Sequence, residues 1–134
     1  MAQLLPHTMP ARFLTEIIAF TSTSIEAVAV IPFEHPLVTD AGAPAFLGIE
    51  CGAQAAAALE ALLRGRDGTP VVARIGHLVR ISEAAFLVPR VPAGRPLAVS
   101  ALMNASAPPL AIYSVTVRVD GTVTISATLS TYSS

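Results

Sequence analysis

Pro44-Ala45-Phe46-Leu47-Gly48-Ile49-Glu50-Cys51-Gly52-Ala53-Gln54-Ala55-Ala56-Ala57-Ala58-Leu59-Glu60-Ala61-Leu62-Leu63-Arg64-Gly65 is the stretch on which the architecture turns. Alanine and leucine dominate it, and both are strong helix formers. Pro44 has no N–H to lose at a first helical position. Gly65 suits the left-handed residue that closes a helix. Wound into a helix, the segment places apolar groups on every side instead of along one stripe. A helix of that kind must be enclosed by the rest of its own molecule or by a neighbour.

The flanking sequence offers only strands for the purpose. Residues 13–20 and 24–31 are rich in Ile and Val around a Thr21-Ser22-Thr23 turn, and further strands are expected at 71–81, 84–91, 97–105, 110–119 and 122–131. Asp120-Gly121 is a hairpin signal between the last two. In those two, Val115, Val117 and Val119 alternate with polar residues, as do Val123, Ile125, Ala127 and Leu129. Each therefore has one buried and one wet face. Residues 32–43 read as a loop carrying His35, Asp40 and Gly42. The picture is an α+β hot-dog fold, with a long central helix wrapped by a curved antiparallel sheet. Gly48, Gly52 and the alanine run let the sheet approach closely. The length of 134 residues fits one domain over 1–134, large enough to fold without a metal or disulfide.

Composition narrows the function. The chain is 53% apolar and 13% charged, which excludes disorder and implies more buried surface than one small domain hides alone. Mean hydropathy is +0.65. The longest charge-free run, Pro96–Val117, contains Asn104, four serines and threonines and a Pro-Pro pair, so no membrane span is expected there. The N-terminal residues lack the basic start and apolar run of a signal peptide, and the lone Cys51 fits a reducing, cytoplasmic setting. The net charge of −1 hides a split. Residues 1–63 hold one arginine against six acids, a balance of −5, and residues 64–134 hold seven arginines against three acids, a balance of +4. Such a split can mark a face for an anionic partner. With a pI near 6.3 and no basic run interleaved with aromatics, nucleic acid is not that partner.

Glu50 and Gln54 lie one turn apart on one face of the enclosed helix. Burial raises a carboxyl pKa, and such a group can hold a proton near neutrality and deliver it to a leaving oxygen. The bland alternative is that Glu50 reaches solvent or satisfies backbone donors near the start of the helix. Cys51, in an apolar helix with no positive neighbour, reads as packing. His7, His35 and His77 share no metal-ligand spacing, and no phosphate-binding glycine loop is present.

Gly48-Ile49-Glu50-Cys51-Gly52-Ala53-Gln54-Ala55 resembles the Glu-Ala-X-Ala-Gln segment of the 3-hydroxyacyl-acyl-carrier-protein dehydratases. It is more similar still to the Ile-Glu-Tyr-Met-Ala-Gln version of their aryl-polyene-type relatives. Leu5-Pro6-His7 with Pro10 is similar to that family's Leu-Pro-His-Arg-X-Pro opening. Gly76, Arg80 and Ile81 match its Gly-Ile-Asp-X-X-Arg-Phe strand in part, and Pro89 through Gly94 its Pro-Val-X-Pro-Gly turn. The likeness spans most of residues 5–97. Departures are Glu34-His35-Pro36-Leu37 for Gly-His-Phe-Pro, Ala43-Pro44 for Pro-Gly, Thr15 for an aspartate and His77 for an isoleucine.

The resemblance implies a cofactor-free dehydratase whose site lies between two protomers. His35, fifteen residues before Glu50, would remove the α-proton of a 3-hydroxyacyl thioester carried by an acyl carrier protein. Glu50 would protonate the departing β-hydroxyl and Gln54 would orient it. Backbone N–H groups at Gly76 and at the start of the helix would hold the thioester oxygen. His7 and His77 are expected to be structural. The assembly expected is a homodimer or larger, with sheets joined edge to edge and helices side by side. Arg66 and Arg90 are expected to dock the acidic carrier. A hot-dog thioesterase, with Glu50 activating water, and a non-catalytic subunit completing a partner's site are the competing readings.

Overall fold

The computed structural model describes residues 13–66 and 76–133. The elements run β1 (Leu14–Phe20), β2 (Ser24–Ala29), β3 (Ala43–Pro44), α1 (Phe46–Arg66), β4 (Gly76–Phe86), β5 (Arg90–Val91), β6 (Leu97–Ala107), β7 (Leu110–Val119) and β8 (Thr122–Ser133). Six strands form one antiparallel sheet in the order β1-β2-β6-β7-β8-β4, and β3 pairs with β5 beside it. α1 packs across one face of the large sheet, as expected of a hot-dog fold.

Local chemistry accounts for the connections. The Thr21 hydroxyl accepts the N–H groups of Thr23 and Ser24 and lies 2.8 Å from the Ser24 hydroxyl, closing the β1–β2 hairpin with its own side chain. Asp120 and Gly121 both have positive φ, 51° and 81°, the conformation that a two-residue hairpin requires. The period-two reading of the last strands is seen directly: Val115, Val117, Ile125, Ala127 and Leu129 are all buried. They face Cys51, Ala55, Ala56, Ala58 and Leu59 of the helix, in one continuous core with Ile25, Leu97 and Val99.

The close approach of helix and sheet has a definite cause. A Cβ at Gly52 would lie 2.8 Å from Val115 Cβ, and one at Gly48 would run into the Ile125 side chain. Gly52 admits only hydrogen, and at Gly48 a larger residue would have to displace the tip of Ile125. The helix of residues 46–65 is long and apolar enough to cross a membrane by length and composition, but it is the core helix and most of it is covered by the sheet.

The structure departs from expectation at several points. Gly65 does not close the helix in a left-handed conformation; it is a helical residue within α1, which runs to Arg66. Pro44 does not open the helix; it lies in β3 opposite Arg90, and the helix starts at Phe46 after Ala45 N–H bonds to the Pro89 carbonyl. Of the strands expected at 71–81 and 84–91, the described residues 76–86 form one strand, β4, running through Ser82-Glu83, while Arg90–Val91 form the separate β5 and residues 71–75 lie outside the described residues. Glu83 takes a φ of 51°, so an extra residue is absorbed as a bulge rather than ending the strand. Enclosure of the helix is also incomplete. Phe46, Glu50, Ala53, Ala57, Glu60 and Arg64 follow one another at helical spacing, and all stay partly or largely exposed.

Candidate active site

Glu50 lies in the second turn of α1, on that uncovered stripe, and is half-buried. It opens on a cavity of about 320 Å³ lined otherwise by Phe46, Leu47, Ile49, Ile81, Ala84 and Phe86. Every other lining side chain is apolar, so the carboxyl is the single polar side chain of the wall. Loss of solvation there raises its pKa above the ordinary carboxylate value. A carboxyl held protonated beside an apolar cavity can donate to an oxygen that leaves as water. Glu50 is also the charge that adds to burial in pushing the Cys51 thiol up to about 12, and that thiol is fully enclosed and inert.

Gln54, one turn on, is buried and engaged elsewhere. Its Oε1 accepts the backbone N–H of Phe13 at 2.8 Å and of Leu14 at 3.3 Å, tying the start of β1 to the helix. The ring of Phe13 in turn lies 5.8 Å from the imidazole of His35. Gln54, Phe13 and His35 therefore form one connected group. His35 is not among the residues that line the Glu50 cavity.

His35 sits in a tight loop. Its N–H bonds to the Pro32 carbonyl, its carbonyl accepts from Val38, and its Nδ1 accepts the Leu37 N–H at 3.1 Å. With Nδ1 an acceptor, the neutral ring carries its proton on Nε2. Gly76 begins β4 opposite Ser133, and His77 follows opposite Tyr132. Leu5, Pro6, His7, Pro10 and Arg74 lie outside the described residues, as do the side chains of Arg66 and His77. Arg90 is exposed and donates to the Gly42 carbonyl at 3.3 Å. Arg95 pairs with Asp120 at 3.2 Å. No cluster of three potential metal ligands occurs among the described residues.

Two features escaped the sequence reading. Tyr113 is wholly buried in β7 and donates its hydroxyl to Glu60 at 2.8 Å; burial first, then the Glu60 charge, raises its pKa. The residues lie 53 apart, so no local pattern links them. The other is the β4 wall of the cavity, where a bulge at Glu83 that no local sequence pattern marks sets Ile81, Ala84 and Phe86 together.

The family model of the ApeP dehydratases (ApeP-like) matches residues 1–134. The chain belongs to the ApeP-like dehydratase family. Among solved structures it is similar to the dehydratase heterocomplex ApeI:P from Xenorhabdus doucetiae, with a TM-score of 0.87 and 20% identity over 98% of this chain and 89% of that one. It is similar to an HP0420 homologue from Helicobacter felis at TM-score 0.69 and 14% identity, over 98% and 87% of the two chains. A hypothetical thioesterase from Streptococcus pneumoniae, solved with coenzyme A, follows at TM-score 0.62 and 12% identity, over 89% and 84%. At these low identities the structural likenesses show the fold alone, the hot-dog fold. No curated protein matched the sequence.

Proposed function

We propose that this ApeP-like protein eliminates water from a 3-hydroxyacyl thioester, presented on the pantetheine arm of an acyl carrier protein, to give a trans-2-enoyl thioester. The observation that carries the reading is Glu50: a carboxyl with raised pKa, alone in an apolar wall, in a member of a dehydratase family. The thioester carbonyl acidifies the α-carbon. A base takes the α-proton, the C–H electron pair becomes the new double bond, and the β-carbon–oxygen bond breaks as Glu50 gives its proton to the departing hydroxyl. His35 is the base and acts across an interface, a reading supported by its absence from the lining of the Glu50 cavity within one chain. The backbone N–H of Gly76 and those at the start of α1 hold the developing oxyanion, and Gln54 fixes the position of the helix turn that carries Glu50.

A second reading is favoured by one contact. The Leu37 N–H occupies His35 Nδ1, so the resting ring presents an N–H at Nε2 and not a lone pair. In that case His35 donates a hydrogen bond and the base comes from a different subunit. The likeness to a dehydratase heterocomplex supports such an arrangement.

Both readings are tested by incubating the full chain with a 3-hydroxyacyl thioester and following mass. Loss of one water from the acyl group means dehydration, release of free thiol means thioesterase activity, and an unchanged substrate means that the chain needs a second kind of subunit.

A further inference from the structure

Between Ser82 and Ala85 the strand β4 carries one residue more than its partner β8. Ser82 pairs with Thr128 and Ala85 with Ser126, so Glu83 and Ala84 together stand against Ala127. Glu83 adopts the left-handed conformation, φ 51°, that such a bulge usually assigns to glycine. Its carboxylate accepts the Thr128 hydroxyl at 3.1 Å. Thr128 lies between the buried Ala127 and Leu129, so this contact holds Glu83 on the side of the sheet away from the helix.

The bulge decides what the helix side receives. In an unbroken strand residues 81, 83 and 85 share a face, and Glu83 would point at the cavity. With the extra residue absorbed, Ile81, Ala84 and Phe86 line the cavity together. Ile81 pairs with Leu129 and Phe86 with Ile125, both buried in the core. Ala84 is the smallest side chain in a wall otherwise made of Phe46, Leu47, Ile49, Glu50, Ile81 and Phe86. Free space remains where a larger residue at 84 would stand.

We infer that Ala84, set in place by the Glu83 bulge, determines how long an acyl tail the cavity accepts. The inference rests on the thioester reading above in one respect: Glu50 works at the β-carbon, so the apolar wall around it receives the carbons beyond. The cavity, about 320 Å³, is at the small end of ligand sites, which run to about 300–1,000 Å³. A medium-length aliphatic tail suits it, and the wall offers no polar side chain but Glu50 for a hydroxylated or charged tail.

The test compares wild type with Ala84→Val and Ala84→Leu. Binding of the unreactive saturated probes butyryl-pantetheine and decanoyl-pantetheine is measured by calorimetry on the full chain, and turnover of the matching 3-hydroxyacyl thioesters is measured in parallel. Decanoyl-pantetheine should bind the variants about tenfold or more weakly, in graded order, while butyryl-pantetheine is held as by wild type. Glu83→Gly, which keeps the bulge, should leave both affinities unchanged. Equal decanoyl affinity in wild type and Ala84→Leu, or no binding of either probe to wild type, overturns the inference. Graded discrimination with free thiol as the product supports it and overturns dehydration instead, so the two failures are distinguishable. Near-native circular dichroism and melting of Ala84→Val guard against misfolding as the cause of a loss.

Discussion

A single carboxyl, Glu50, couples the stability of this protein to its chemistry. Burial disfavours its charged form, so the folded chain holds the proton to higher pH than the unfolded chain does. The stabilisation this brings is fully present below the unfolded carboxyl range and is lost as pH rises through the folded value. Glu50→Gln is nearly isosteric and does not titrate. Its melting temperature, measured against pH, should gain on wild type between acid and neutral pH, while dehydration falls by about 10²–10⁴. His35 makes a second prediction. Nitrogen NMR of the neutral ring should find the proton on Nε2, with Nδ1 accepting from Leu37. His35→Gln keeps a donor and removes a base. A loss of about 10²–10⁴ assigns His35 the base role, and near-parental turnover assigns the base to another subunit.

For the elements, the decisive contact is between α1 and β7. Gly52 costs helix propensity, about 1 kcal/mol relative to alanine, yet alanine there meets three side-chain atoms of Val115 within 3.1 Å. Overpacking of this kind costs about 1–3 kcal/mol, so Gly52→Ala should lower the denaturation midpoint despite its better propensity. Val115→Ala alone should also destabilise, by opening a cavity. The double variant should be more stable than the two single losses sum to, and a double-mutant cycle in urea measures that coupling. The Gln54 anchor of β1 and the Glu60–Tyr113 bond work at this scale as well. Each links the helix to a strand far away in sequence.

At the scale of the molecule, the uncovered helix stripe, the edge of β4 that has no partner strand among the described residues, and the exposed Phe46, Ile81, Phe86 and Leu87 lie outside the core of a single chain. Alanines 53 and 57 on that stripe leave room for a second helix. Light scattering at micromolar concentration should give a mass above the 13.8 kDa of one chain. The charge split makes a separate prediction. Arg66→Glu and Arg90→Glu should raise KM for carrier-bound substrate and spare a small thioester analogue. Wild-type activity on the carrier-bound form should fall as salt rises, since exposed charges are screened over about 8–10 Å. Unchanged KM in both variants at low salt would show these arginines to be solvated surface.

The sequence by itself determined the helix, the burial of most of its faces, the alternating faces of β7 and β8 and the hairpin at Asp120-Gly121, because each depends on residues close together along the chain. It also drew attention to Glu50 as a candidate, a charge near the start of an otherwise apolar, alanine-rich helix. Only the tertiary structure decided what Glu50 faces, that Gln54 holds β1, that Tyr113 reaches Glu60, and that β4 runs on through Glu83. The physical reason is shared by all four. A cavity wall, a cross-core hydrogen bond and a bulge are relations between segments tens of residues apart, and strand pairing sets them by register. One residue of slip turns every side chain to the opposite face, and no local pattern in Ile81 to Phe86 says where the extra residue will be absorbed.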